Sequence, residues 1–273
     1  MKALFDPAIL RRVQICIPFR LLKEKYLPLV LDKRINPEIG INGKVIDTHT
    51  RKALSEMASL LHHEGLSITL HGPFYDLAPG AMDKKILKAT RERLRQAFDL
   101  IPLFEPASMV CHTGYDRKRY NDNKDLWLET ALETWAPLVK GLQGTKTTLM
   151  LENVYERTPA MLLRLIKGLN TKKVGFCFDA GHMNAFSETN LKGWLDDLGP
   201  FVKELHIHDN HGIRDDHLAI GAGNIDFDTL FRYVGENRLR PIITLEAHKE
   251  KWIWQSLEAL SGSEPFCQIV ANL

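Results

Sequence analysis

Between Val202 and Phe227 the chain reads VKELHIHDNHGIRDDHLAIGAGNIDF, and this short span holds His206, His208, Asp209, His211, Asp215, Asp216 and His217. Imidazole nitrogens and carboxylate oxygens are the donors that divalent cations take, so the chemistry to expect is metal chemistry. An apolar, strand-like run ends in the first three residues. A loop carries the others, and a glycine-rich turn closes the stretch. One loop can form only one wall of such a site, so the other walls must come from elsewhere in the chain.

The elements that would bring those walls together follow from the rhythm of the sequence. Short β-branched and apolar runs alternate with longer amphipathic ones, which is the signature of repeated βα units. Eight strands are expected, at 13–19, 35–41, 66–72, 108–114, 147–154, 174–182, 202–209 and 242–248. Eight is the number that closes a (β/α)8 TIM barrel. The intervening helices are expected at 47–64 (N-cap Asp47 or Thr48), 81–100, 124–141, 159–168, 190–198, 227–236 and 252–260. The connection 20–34 contains Pro28 and gives the weakest helical pattern, and the tail 262–273 is expected to pack back on the barrel.

With 273 residues, 44% of them hydrophobic, the chain can bury one large core, and no linker rich in Pro, Gly or Ser divides it. The expectation is one domain over 1–273. Lys and Arg number 36 against 34 Asp and Glu, so no basic surplus calls for a nucleic-acid partner. No run approaches the ~20 apolar residues that span a bilayer, and MKALFDPAILRRVQ has no apolar segment of signal-peptide type. Cys16, Cys111, Cys177 and Cys267 are scattered, which fits reduced and mostly buried thiols. These features together imply a cytoplasmic protein, and the sequence is compatible with an oligomer.

In such a barrel, chemistry sits at the carboxyl ends of the strands, and the ionisable residues gather there. His71, His112, Glu152, Asp179, His206, His208 and Glu246 end strands three to eight, with His182 just beyond the sixth and His248 beyond the eighth. The two-residue period puts Glu204, His206 and His208 on one face and Leu205 and Ile207 on the other. The same alternation turns Met150 and Glu152 inward, with Cys177 and Asp179. Carboxylates facing inward are costly unless a cation or partner compensates them, and these donors suit Mn2+, Mg2+, Co2+ or Zn2+. His49, His62 and His63 fall in or near the second helix and read as solvated. For Arg117, Lys118 and Arg119 the plain reading is a solvated loop and the functional one a phosphate contact. GAGNIDF reads as a tight turn with a helix cap at Asp226 or Asp228, against the alternative of a phosphate cradle.

The segments LHGPF, VCHTG, LMLENV, FCFDAGH, ELHIHDNHG, HLAIGAGNIDF and TLEAH, in this order and spacing, resemble the xylose isomerase-like TIM-barrel superfamily. That group includes sugar and sugar-phosphate isomerases and epimerases and the endonuclease IV class. Resemblance to the isomerases implies one divalent ion on Glu152, Asp179, His206 and Glu246. It also implies Glu152 and Glu246 as acid and base on a sugar or sugar phosphate, with His182, His71, His112 and His208 as substrate contacts. This is the primary expectation. The ketose epimerases carry an arginine where this chain has His211 or Gly212, so the resemblance does not carry their substrate over to this chain. Resemblance to endonuclease IV implies instead three ions, with His71, His112, His182, Asp215 and His217 as further ligands, and a phosphodiesterase acting on abasic DNA or a smaller phosphodiester. Only this alternative involves nucleic acid. A barrel that binds a metabolite without turnover is the third reading.

Overall fold

The computed structural model describes residues 6–271, so the first five residues of the N-terminal stretch and the last two of the tail lie outside the described residues. Eight strands form: β1 (Gln14–Pro18), β2 (Asn36–Gly40), β3 (Thr69–His71), β4 (Ser108–His112), β5 (Thr148–Glu152), β6 (Val174–Asp179), β7 (Val202–Ile207) and β8 (Ile242–Leu245). They pair in chain order, all parallel, and β8 returns to β1, so the sheet closes into a (β/α)8 barrel. Every expected strand is present, trimmed at its ends. Parallel neighbours need a long crossover, and a helix after each strand supplies it.

Side-chain caps start several of these helices. Asn190 accepts from Gly193 N at 3.0 Å, and Asp226 accepts from Thr229 N at 3.0 Å. The cap expected at Asp47 or Thr48 is instead Thr50, which accepts from Ala53 N at 3.2 Å. The reason is local: Asn42 caps a separate turn of helix, Gly43–Thr48, and the chain is extended at His49 before Arg51–His63 begins. The connection after β1 is helical over Phe19–Lys33, widened to a π-turn at Leu22–Tyr26. The tail helix Glu264–Ala271 does pack back, with buried Phe266 edge-on to Phe231 at 5.0 Å.

The two-residue period of the strands separates two interiors. Phe176 and Phe178 point outward against fully buried Trp194, with ring centroids 6.0 and 6.3 Å away, and belong to the large core between sheet and helices. Burying one such side chain is worth ~1.5–3 kcal/mol, so the wall is held by many moderate terms. Val110, Met150 and Cys177 form a separate small apolar plug inside the barrel. The interior also holds buried Glu38, Thr69, Glu204 and Thr244; both threonine hydroxyls donate to Glu38 Oε2 at 3.3 Å. Burial, reinforced by the neighbouring Glu38, pushes the Glu204 carboxyl well above its ordinary range. The cysteines are free; Cys111 and Cys177 are buried, but Cys267 is exposed, against expectation, because it lies on the outer side of the tail helix. Among the described residues no helix is long and apolar enough to cross a membrane.

Candidate active site

Because all eight strands run the same way, their carboxyl ends meet at one rim. Overlapping groups of donor atoms converge there, each with its atoms within 4.8 Å of one another; among them are His71, His112 and Glu152; Glu152, Asp179, His206 and Glu246; and His182, His208, Asp215 and His217, while His71, His206 and Glu246, and Cys16, Glu38 and Glu246, form further sets that share members with these. Glu152 belongs to two of them. Its Oε2 lies 3.2 Å from both His71 Nε2 and His112 Nε2, while Oε1 lies 3.2 Å from His182 Nδ1 and 3.3 Å from His206 Nδ1. His206 Nδ1 is also 3.4 Å from Glu246 Oε2. In the third group Asp215 Oδ2 faces His217 Nε2 at 2.9 Å and His182 Nε2 at 3.2 Å.

The residues expected as ligands and substrate contacts are therefore gathered at one rim, while His211 and Asp216 of the same loop are exposed. His208, expected as a substrate contact, stands in the third donor group, its Nε2 3.1 Å from Asp179 Oδ2 and its ring stacked on His217 at 3.7 Å. The cause is steric: Gly181 has no side chain, and a Cβ there would come within 2.0 Å of the His208 ring, so the glycine leaves the space that the imidazole fills. Sequence reasoning missed Glu38, whose Oε1 lies 3.3 Å from His206 Nε2; only its inward position on β2 could have signalled it. Arg117 is engaged in an ion pair with Glu188 at 3.0 Å, and Arg119 lies 3.7 Å from Asp116.

The geometry fits bound cations. His71, His182 and His217 each donate from Nδ1 to a backbone carbonyl, of Gly72, Asn153 and Glu246, at 2.9–3.0 Å. That bond fixes the tautomer and aims Nε2 at the carboxylates, the arrangement usual for metal-binding imidazoles. Meanwhile Glu152 Oε1, His206 Nδ1, His208 Nδ1 and Asp215 Oδ1 are buried without a hydrogen-bond partner among the described residues. The nitrogen–oxygen separation of 3.3 Å between His206 Nδ1 and Glu152 Oε1 is close enough for charge attraction without being a hydrogen bond; Glu152 and His206 belong to one donor group, and His208 and Asp215 to another. Such orphaned donors are costly unless something compensates them.

The charges are correspondingly perturbed. Burial alone would raise the Glu152 carboxyl, but the His112 and His206 imidazoles hold it well below the usual carboxylate range. His206, with other neighbours, does the same for Glu246. Burial would lower His71, yet its bond to Glu152 and the nearby Glu38 and Glu246 push it up to about 9. His112 goes the other way, lowered by burial despite Glu152.

The loop from Asn210 to Ile225 is shaped by a carboxylate rather than by a substrate phosphate. Fully buried Asp209 accepts from the backbone N–H of Gly221 and Gly223 at Oδ2, both at 2.9 Å, and from Asn210 and Ile225 at Oδ1, at 2.9 and 3.2 Å. The glycine turn is thus an anion cradle already filled by the chain itself, and Asp226 caps the next helix as expected. The loop then pairs back, Asp209 with Leu218, and His217 takes φ +48°, a left-handed value costly for a side chain of this kind. Replacing Asp209 with alanine is expected to cost about 3 kcal/mol and about 5–10 °C in melting temperature, because the N–H of buried Asn210 and the part-buried N–H bonds of Gly221, Gly223 and Ile225 lose their acceptor together. Hydrogen exchange should accelerate across 210–225; unchanged protection there would refute this role.

A recess of about 480 Å3, lined by His62, Leu66, Glu105 and Lys146 among others, lies at the amino ends of β3 and β4 and contains none of these groups. His62 is exposed, and its ring bonds the Phe104 carbonyl at 2.8 Å.

Comparison with known proteins agrees with this architecture. An uncharacterised protein of Methanocaldococcus jannaschii, MJ1311, is 29% identical over 202 residues, 71% of this chain and 69% of the relative. A second protein of that organism, MJ1614, is 26% identical over 73% of this chain and 76% of its own length. Among solved structures, a D-tagatose 3-epimerase-like protein superposes with a TM-score of 0.80 at 24% identity, covering 95% of this chain and 98% of the other. The TTHB071 protein of Thermus thermophilus, soaked with ZnCl2, gives 0.78 at 22% identity over 93% and 98%. A D-psicose 3-epimerase of Clostridium cellulolyticum gives 0.73 at 14% identity over 91% and 96%. At these identities the superpositions establish the fold. The model of the xylose isomerase-like TIM barrel matches residues 38–263, from the second strand past the eighth, and the chain belongs to that family.

Proposed function

We propose that the chain is a divalent-metal hydrolase of a small phosphodiester. The observation that carries this reading is the return of Asp215 and His217 to the barrel mouth, where they join His182 and His208 in a third donor group beside the two that share Glu152. Asp215 approaches His182 Nε2 and His208 Nδ1 as well as His217, so it meets donors from three positions rather than only its loop neighbour. The nine residues of these three groups that the endonuclease IV resemblance implies are all at the rim. Divalent ions there would supply charge neutralisation for phosphoryl oxygens and activation of water.

The chain's own residues do the rest. Glu152 links the first two groups, so a substrate oxygen over it meets both. The Nδ1–carbonyl bonds of His71, His182 and His217 keep their Nε2 atoms aimed without further reorganisation. Phe74, stacked on His112 at 4.5 Å, and Phe186, 6.0 Å from His182, give the centre two aromatic neighbours. A small substrate is favoured over a duplex, because the mouth arginines Arg117 and Arg157 are both spent on Glu188 and the net charge is only +2.

Metal analysis of the zinc-loaded protein, together with hydrolysis of bis(p-nitrophenyl) phosphate, tests the reading. Three ions per chain and turnover are expected. A single tightly held ion would sink it.

A second reading has its own support. Glu152 and Glu246 both approach His206 Nδ1, at 3.3 and 3.4 Å, in the four-residue set that the isomerase resemblance implies, and solved neighbours include sugar epimerases. There one ion would stabilise an enediolate-like state of a sugar or sugar phosphate while the two glutamates exchange a proton with carbon. It predicts one ion and uptake of solvent deuterium into a ketose.

A further inference from the structure

A cavity of about 300 Å3 opens beside the candidate centre, lined by Asn42, Lys44, Pro73, Phe74, Tyr75 and Arg93, with two further residues. Asn42 and Lys44 follow the end of β2, and Pro73–Tyr75 follow the end of β3, so the cavity lies on the same rim as the donor groups. Phe74 is the shared wall. One side of it meets the site, stacked on His112 at 4.5 Å and edge-on to His71 at 5.5 Å, and the residue also lines the cavity. Tyr75 lies 4.3 Å from the Phe74 ring, tilted by 37°, and is 73% exposed.

Two features of the lining ask for an occupant. A lone exposed aromatic is ordinary, but here the exposed ring continues an aromatic surface that begins at the donor histidines and borders a cavity. The charges are also unequal: Arg93 is held by both Asp47 oxygens, at 2.7 and 3.0 Å, whereas Lys44 makes no ion pair among the described residues. The volume is at the lower end of small-ligand sites and suits one planar ring system rather than a polymer.

We propose that this cavity binds a flat aromatic ring of nucleobase size, carried on the same substrate whose ester linkage lies over the donor groups, with Tyr75 packing on the ring and Lys44 facing the substrate's negative charge. The proposal rests on the phosphodiester reading for the linkage but not for the ring. It makes Tyr75 a specificity residue with no part in the chemistry.

The test compares binding of methyl phosphate, AMP and adenosine to the zinc-loaded full chain and to its Tyr75→Ala and Tyr75→Phe variants, by calorimetry. AMP is expected to bind about tenfold or more tightly than methyl phosphate, since stacking on an aromatic side chain contributes that much. Tyr75→Ala should remove the preference and leave methyl phosphate affinity unchanged, while Tyr75→Phe should keep it. No preference in the parent chain, or one that survives Tyr75→Ala, overturns the subsite. Adenosine binding that depends on Tyr75, in a protein that takes neither phosphate ester, would uphold the ring subsite and sink the phosphodiester reading instead.

Discussion

Replacing Glu152 with glutamine is expected to lower turnover by on the order of 10²–10⁴-fold and to reduce the metal content of two donor groups at once. Among the described residues Glu152 meets four imidazoles of the centre: one carboxylate oxygen serves His71 and His112, the other His182 and His206, all at 3.2–3.3 Å. Glutamine keeps the shape but loses the charge, and its NH2 must point at imidazole nitrogens on one side. Glu152 is fully buried, so the loss also leaves neighbouring imidazoles without their counter-charge.

The effect on stability has a definite sign in the metal-free protein. Glu152's carboxyl is held well below 4.5, so its contribution is present above that pH and is lost as pH falls through the depressed value. The difference in melting temperature between parent and Glu152→Gln should therefore be wide near neutrality and close in acid. Metal content, turnover and melting measured on the same samples check this. A variant with the parent's metal content and turnover would remove Glu152 from the centre.

Asp215→Asn should be more selective. Among the described residues Asp215 pairs with His182, His208 and His217 of the third group, and the loop that carries it is anchored independently at Asp209. The expected outcome is a folded protein that has lost one ion of three, with phosphodiester turnover down by about 10²-fold or more. If Asp215 is instead a substrate contact of a one-metal isomerase, metal content will not change and the loss will fall on KM. The same substitution thus separates the two readings by metal content alone, before any substrate is identified.

Much of this centre was legible in the chain because a closed parallel barrel leaves little freedom. Strand direction puts every strand end on one rim, and the two-residue period decides which side chains face inward, so Glu152, Asp179, His206 and Glu246 could be placed from the sequence. Local chemistry likewise identified the cap at Asp226 and the helices Lys124–Gly141 and Phe227–Glu236 to the residue.

What the sequence alone determined is therefore the barrel and the donor residues fixed to its strands. What only the tertiary structure decided lies in the loops, where no period constrains direction. The recruitment of His208 depends on the absent side chain of Gly181, a residue on another element. Whether Asp215 and His217 face the centre depends on the Asp209 carboxylate meeting amides 12 to 16 residues later, and on a left-handed backbone at His217. Both are contacts between residues distant in sequence. Propensity and spacing describe neighbours along the chain, whereas these positions are set by which groups the closed barrel brings within hydrogen-bonding and packing distance.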